Sequence, residues 1–195
     1  FHGAVSALKL PTSFDVFAAR SSNEEIFTVS ANHAATLGTY DIEVVSVATA
    51  EQISSRAFES GDAVVGTGSL TISVGGQSFT VQIDDGSGTL RGIRDAINRA
   101  EDNTGVRATI VNGTDGSHLV LTSTKTGLAN RITIAVDGEG LEALAYSADA
   151  PNEYTQVRAA QDALVYVAGT EHRSASNTIA DAIEGVTLQL LKADA

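Results

Sequence analysis

The chain has 195 residues, no cysteine, methionine or tryptophan, and 12 Lys plus Arg against 24 Asp plus Glu, a net charge of −12. Without cysteine there can be no disulfide framework, thiolate-bound zinc, iron–sulfur cluster or thiol nucleophile. The acidic balance opposes the basic footprint that nucleic acids and anionic membrane surfaces require, so neither is an expected partner. A hydrophobic content of 43% with 18% charged residues predicts packed globular structure, in one domain or two small ones.

In chain order, Phe1, Val5 and Leu8 stand at helical spacing and Pro11 closes the run. Residues 1–10 are therefore expected to be the end of a helix that begins upstream. Together with the missing methionine, this predicts a piece of a longer polypeptide. Residues 26–29 read as a short strand. Residues 39–48 alternate through Tyr40, Ile42 and Val44, and the pattern slips at Val44-Val45, which predicts a β-bulge. Periodicity fades over residues 54–66, a candidate domain boundary.

Two alternating runs, residues 69–74 and 77–83, flank Gly75-Gly76 and predict a hairpin with a primed turn, which needs positive φ. After the loop Asp84-Asp85-Gly86-Ser87-Gly88, Thr89 is the expected cap of a helix with Leu90, Ile93, Ile97 and Ala100 on one face. That helix should end near Asn103-Thr104-Gly105. Strands follow at 106–111, 118–123 and 131–136, giving a β-β-α-β-β-β order in which one helix covers an antiparallel sheet. After a looser stretch through residue 154, strands are expected at 163–168, 171–174 and 186–191, with residues 177–183 as a helical turn or loop.

The chemistry-bearing residues do not assemble into a motif. His2, His33, His118 and His172 are far apart and in no ligand spacing, so no metal site is expected. No nucleophile elbow or S-x-x-K stands in a strand–turn–helix setting. The Asp84–Gly88 loop lacks the lysine of a phosphate-binding loop and the spaced ligands of a calcium loop, so its carboxylates read as a strand-to-helix turn near a positive helix end. Asn112-Gly113-Thr114 fits a glycosylation sequon and equally an Asn-Gly turn. Catalytic, cofactor-binding and metal residues are therefore all expected to be none.

Three ordered segments carry a resemblance. Gly68-Ser69-Leu70-Thr71-Ile72, Thr89-Leu90-Arg91-Gly92-Ile93-Arg94-Asp95-Ala96-Ile97-Asn98 and Val106-Arg107-Ala108-Thr109-Ile110-Val111, continuing through residues 119–127, resemble the repeat motif of bacterial flagellins and hook-associated proteins. Gly38-Thr39-Tyr40-Asp41-Ile42-Glu43-Val44 followed by Ala48-Thr49-Ala50-Glu51 resembles the N-terminal head region of the flagellar filament cap family. Ala160-Gln161-Asp162-Ala163, Arg173-Ser174-Ala175-Ser176-Asn177-Thr178-Ile179 and Asp181-Ala182-Ile183-Glu184-Gly185-Val186-Thr187-Leu188 resemble that family's later head segment.

The resemblance implies a predominantly antiparallel α+β head of two small domains, the second inserted into the first. The expected division is 1–10 as the end of a leg helix, 11–58 plus 150–195 as the split domain, and 59–149 as the inserted domain with the repeat motif. The implied role is non-enzymatic: a homo-oligomeric cap, exported without a cleaved signal peptide, that promotes flagellin polymerisation at the filament tip outside the cell. Its implied partners are copies of itself, mainly through regions beyond this chain, flagellin, and hook–filament junction proteins, with no cofactor. A rival expectation is an extracellular adhesin or carbohydrate-binding module touching host glycans through exposed tyrosines such as Tyr146 or Tyr154. Low aromatic content, 5%, and the absence of tryptophan count against stacking on sugar rings.

Overall fold

The computed structural model describes residues 17–103 and 105–194. The expected leg helix at 1–10 lies outside these residues. The chain divides into two compact units: residues 1–47 with 163–195, and residues 48–162. The sequence places the breaks at 58/59 and 149/150. Strand pairing moves them outward, because segments on both sides of those breaks join a sheet of the second unit.

In the first unit, β1 (Phe27–Ala31) and β2 (Ile42–Ser46) come before the insertion. The second unit holds β3 (Gln52–Ser54), β4 (Thr67–Val74), β5 (Gln77–Ile83), helix α1 (Leu90–Arg99), β6 (Val106–Asn112), β7 (Ser117–Ser123), β8 (Thr133–Glu139) and β9 (Thr155–Arg158). The chain then returns to the first unit with β10 (Ala163–Val167), β11 (Thr170–Ser174), β12 (Thr178–Ile183) and β13 (Val186–Leu190). All strand pairs are antiparallel.

The first unit carries two three-stranded sheets, β1-β13-β12 and β11-β10-β2. Val44, Val165, Ile179 and Leu188 are buried in it. The consecutive residues Leu164 and Val165 of β10 face Ser46 and Val44 of β2, so Val45 is skipped. That is the bulge the alternation slip predicts, and it turns Val45 outward. Residues 177–183, read from sequence as a helical turn or loop, instead supply β12. Its pairing with β13 shifts register between Ile179 and Ile183, so the partner strand, not local alternation, sets its conformation.

The second unit is built on the four-stranded sheet β6-β7-β3-β9 and the three-stranded sheet β5-β4-β8. Gly75 and Gly76 turn the β4–β5 hairpin at φ 60° and 76°, as the Gly-Gly pair requires. Helix α1 starts at Thr89, whose side chain accepts a hydrogen bond from the Gly92 amide at 3.1 Å. Leu90, Ile93 and Ile97 are buried in a core with Leu70, Ile72, Leu119, Leu121 and Ile132. The helix ends at Arg99, short of the expected 103–105. Asn103 ends it by donating to the Ile97 and Val106 carbonyls and accepting from the Val106 amide. Thr49 and Gln161, at the two ends of this unit, bridge each other through paired backbone hydrogen bonds of 2.9 and 3.2 Å.

Candidate functional site: a buried carboxylate and a surface trough

The most enclosed polar residue is Glu51, just before β3 and fully buried. Its side chain accepts from the Ile132 amide at 2.5 Å, the Gln156 side-chain amide at 2.9 Å and the Tyr146 hydroxyl at 3.1 Å. Its backbone carbonyl accepts from the Ser123 amide at 2.9 Å. Gln156 belongs to β9, and Ile132 leads into β8. One carboxylate therefore ties the four-stranded sheet to the three-stranded one. Satisfying each buried donor is what makes such a group tolerable away from water.

Tyr146 is 4% exposed and exchanges two backbone bonds with Ile134 of β8. Burial, reinforced by the Glu51 charge and hydrogen bond, pushes its hydroxyl up to about 12, so it remains a proton donor to Glu51 at neutral pH. Its ring lies 5.2 Å from that of Tyr154, tilted by 60°. Burial also raises the Tyr154 hydroxyl, which bonds the Leu144 carbonyl. The expectation that Tyr146 and Tyr154 stand exposed for sugar rings is thus corrected. Tyr146 is core, and Tyr154 is partly buried against it.

The other residues singled out from sequence are consumed locally. Asp84 closes its loop through Ser87, accepting from its amide at 2.9 Å and its hydroxyl at 2.7 Å; these bonds hold the carboxyl below its ordinary range. Asn112 accepts from the Ser117 hydroxyl, and the Gly113 amide donates to Gly116 across the turn. His118 lies 2.8 Å through Nδ1 from the Ser55 carbonyl and 3.1 Å through Nε2 from Asp115. These two contacts raise its pKa. His172 faces Asp181 at 3.2 Å, His33 is exposed, and His2 lies outside the described residues. Among the described residues no three His, Asp or Glu side chains gather as a metal site would require, and no helix is long and apolar enough to cross a membrane.

A second feature belongs to the first unit alone. A trough of about 830 Å³ is lined by apolar side chains, among them Phe17, Phe27, Ile42 and Leu188, and by the charged residues Arg20, Asp41 and Glu43. Leu37, which also lines it, is 96% exposed. Neither Glu51 nor the trough carries a spacing signal in the sequence. Glu51 was legible only as one letter of a family segment, and the trough is assembled from strands on both sides of the insertion.

This two-unit, sheet-based architecture is that of solved flagellar cap heads. The D2–D3 domains of the flagellar cap protein FliD from Escherichia coli superpose with a TM-score of 0.80 at 34% identity, over 87% of this chain and 89% of that one. FliD from Pseudomonas aeruginosa does so with a TM-score of 0.79 at 34% identity, over 87% and 80%. Residues 1–51 match the family model for the flagellar hook-associated protein 2 N-terminus, and residues 69–125 the flagellin hook IN motif. The B-type flagellar hook-associated protein 2 of Pseudomonas aeruginosa is 38% identical across 97% of the chain and 43% of its own length. The chain belongs to the flagellar hook-associated protein 2 family, the flagellar cap proteins. It spans less than half the length of the curated relatives it matches.

Proposed function

We propose that this chain is the head of a homo-oligomeric flagellar filament cap that acts as an assembly surface, without catalysis, to promote flagellin polymerisation at the filament tip. The observation that carries this reading is the likeness to solved cap heads over both units at once, at 34% identity. The fate of the polar side chains supports a structural role: Glu51, Asp84 and His118 each hold parts of the fold together. In this reading the head lies outside the cell, is exported without a cleaved signal peptide, and meets flagellin and hook–filament junction proteins. Ring contacts come mainly from regions beyond this chain. The glycan-binding alternative loses its proposed anchors, since Tyr146 is buried and Tyr154 half-buried.

The test is a chimera in a bacterium lacking its own cap. The head of the Pseudomonas aeruginosa B-type protein is replaced by this chain and the rest of that protein retained. Restored filaments and swimming are the expected outcome. Flagellin shed unpolymerised into the medium, despite stable export of the chimera, would contradict the reading.

A further inference from the structure

Asn112-Gly113 is the only Asn-Gly pair in the chain, and it stands where β6 gives way to the turn into β7. Asn112 faces Ser117 in the last pair of that ladder, and Asn112 and Gly113 are both exposed. Asn98, Asn103, Asn130 and Asn152 each donate through Nδ2 to a backbone carbonyl, which holds that nitrogen in the fold. Asn23, Asn32 and Asn177 are followed by Glu24, His33 and Thr178, whose side chains crowd the next backbone nitrogen. Among the described residues, the side chain of Asn112 is held at its oxygen alone: Oδ1 accepts from the Ser117 hydroxyl at 2.7 Å. Ser117 is itself buried and fixed to Phe58 by paired backbone bonds of 2.7 and 2.8 Å. A fixed donor on that oxygen draws electron density from Cγ and stands ready for negative charge developing there. Gly113 has no side chain to keep its nitrogen from Cγ. The restraint on that nitrogen is its 2.7 Å bond to the Gly116 carbonyl, at the end of a ladder, where opening is cheap.

We infer that Asn112 is a site of spontaneous deamidation, closed by Gly113 and paced by opening of this hairpin end. When the bond to Gly116 opens, the Gly113 nitrogen bonds to Cγ of Asn112 and its proton passes to water. The Cγ–Nδ2 bond breaks with its electron pair on nitrogen, which takes up a proton and leaves as ammonia. Water then adds to either carbonyl of the cyclic imide and returns a proton to the ring nitrogen as the ring opens. The net change is asparagine plus water to aspartate or isoaspartate plus ammonia, with no oxidant, reductant or cofactor. An acid at position 112 adds a carboxylate to the turn that already holds Asp115. Isoaspartate also routes the backbone through the side-chain carbon and lengthens it at the last β6–β7 pair. The change is one-way, so the converted fraction records the age of the molecule. This inference rests on the hairpin and is independent of the cap reading.

The sequence makes the test clean. Trypsin cuts after Arg107 and Lys125, and the peptide 108–125 between them holds no other asparagine and no glutamine. The full 195-residue chain is aged at neutral pH and physiological temperature, digested at mildly acidic pH and read by mass spectrometry, beside the free peptide 108–125 aged in the same buffer. Conversion of amide to acid in 108–125 is expected, with isoaspartate in excess over aspartate by electron-transfer fragmentation. It should run several-fold slower than in the free peptide and several-fold faster than in the peptides carrying Asn98, Asn103 and Asn130. Gly113→Ala should slow it at least several-fold; its Cβ meets the end of the Asp115 side chain, which can turn into water. Asn112→Gln, which keeps the amide but must close a larger ring, should abolish the conversion and serves where Gly113→Ala does not fold. An unconverted Asn112 in the folded chain, conversion as fast as in the free peptide, aspartate without isoaspartate, or an unchanged rate in either variant would each overturn the inference.

Discussion

Replacing Glu51 by alanine should be among the most damaging single changes in the second unit. The carboxylate is fully buried and satisfies three donors at 2.5, 2.9 and 3.1 Å. Gln156 is exposed enough to find water, so its loss costs little. The Ile132 amide and the Tyr146 hydroxyl are enclosed. A buried donor left unsatisfied costs about 1–3 kcal/mol, and the space vacated by the side chain adds a cavity penalty. Glu51→Ala should therefore lose about 3–5 kcal/mol, a large share of the roughly 5–15 kcal/mol by which domains are stable. Glu51→Gln keeps the volume and one strong acceptor, and should lose only about 1–2 kcal/mol. Urea unfolding followed by near-ultraviolet circular dichroism of the Tyr146–Tyr154 pair measures both, since the chain has no tryptophan. An alanine variant within about 0.5 kcal/mol of wild type at unchanged m-value would refute the idea that this carboxylate holds the two sheets together.

Gly68 sits opposite Gly138 in the β4–β8 ladder with φ 138°, and a Cβ there would strike the Asp137 carbonyl. Gly68→Ala should cost at least about 2 kcal/mol in the same unfolding assay, combining backbone strain with a clash that no side-chain rotation relieves. Asn98 reaches from α1 to the outer edge of β6, donating to the Ala108 carbonyl at 2.7 Å and accepting from its amide at 2.9 Å. Asn98→Ala should lose about 1–2 kcal/mol and, by freeing an edge, increase concentration-dependent association in light scattering. For the His118–Asp115 pair the histidine pKa is raised from 6.5, so its contribution is complete below that value and disappears as pH rises through the folded pKa. Asp115 is lowered from 3.8, so its share is present above that value and is lost on acidification. Wild type minus His118→Gln in thermal melts should therefore be largest between those two pH values and shrink towards pH 8.

The parts of the fold written in short stretches of sequence were legible. The Gly75-Gly76 hairpin, the Thr89 cap and the bulge at Val44-Val45 each follow from a few neighbouring residues whose conformational demands have one good solution. The predominantly antiparallel class followed from them. Segments whose structure comes from distant partners were not legible. β3 is three residues long and pairs with β7 and β9, both remote in sequence, so no alternation marks it. β12, with Ala180, Asp181 and Ala182 at its centre, has weak strand propensity and extends because β13 lies beside it. The same reason shifted the expected domain boundaries, since β3 and β9 looked like neighbours of the first unit and pair within the second. Glu51 and Tyr146 stand far apart in the chain, and only tertiary structure reveals them as one hydrogen-bonded group.

The most direct test of the account is where this head resides on the living cell. Antibodies raised against residues 17–194 and coupled to gold, applied to intact flagellated cells of the source bacterium and viewed by electron microscopy, would locate it. The account predicts label confined to the distal end of the filament. Label along the filament shaft or over the cell surface, with bare filament tips, would contradict it.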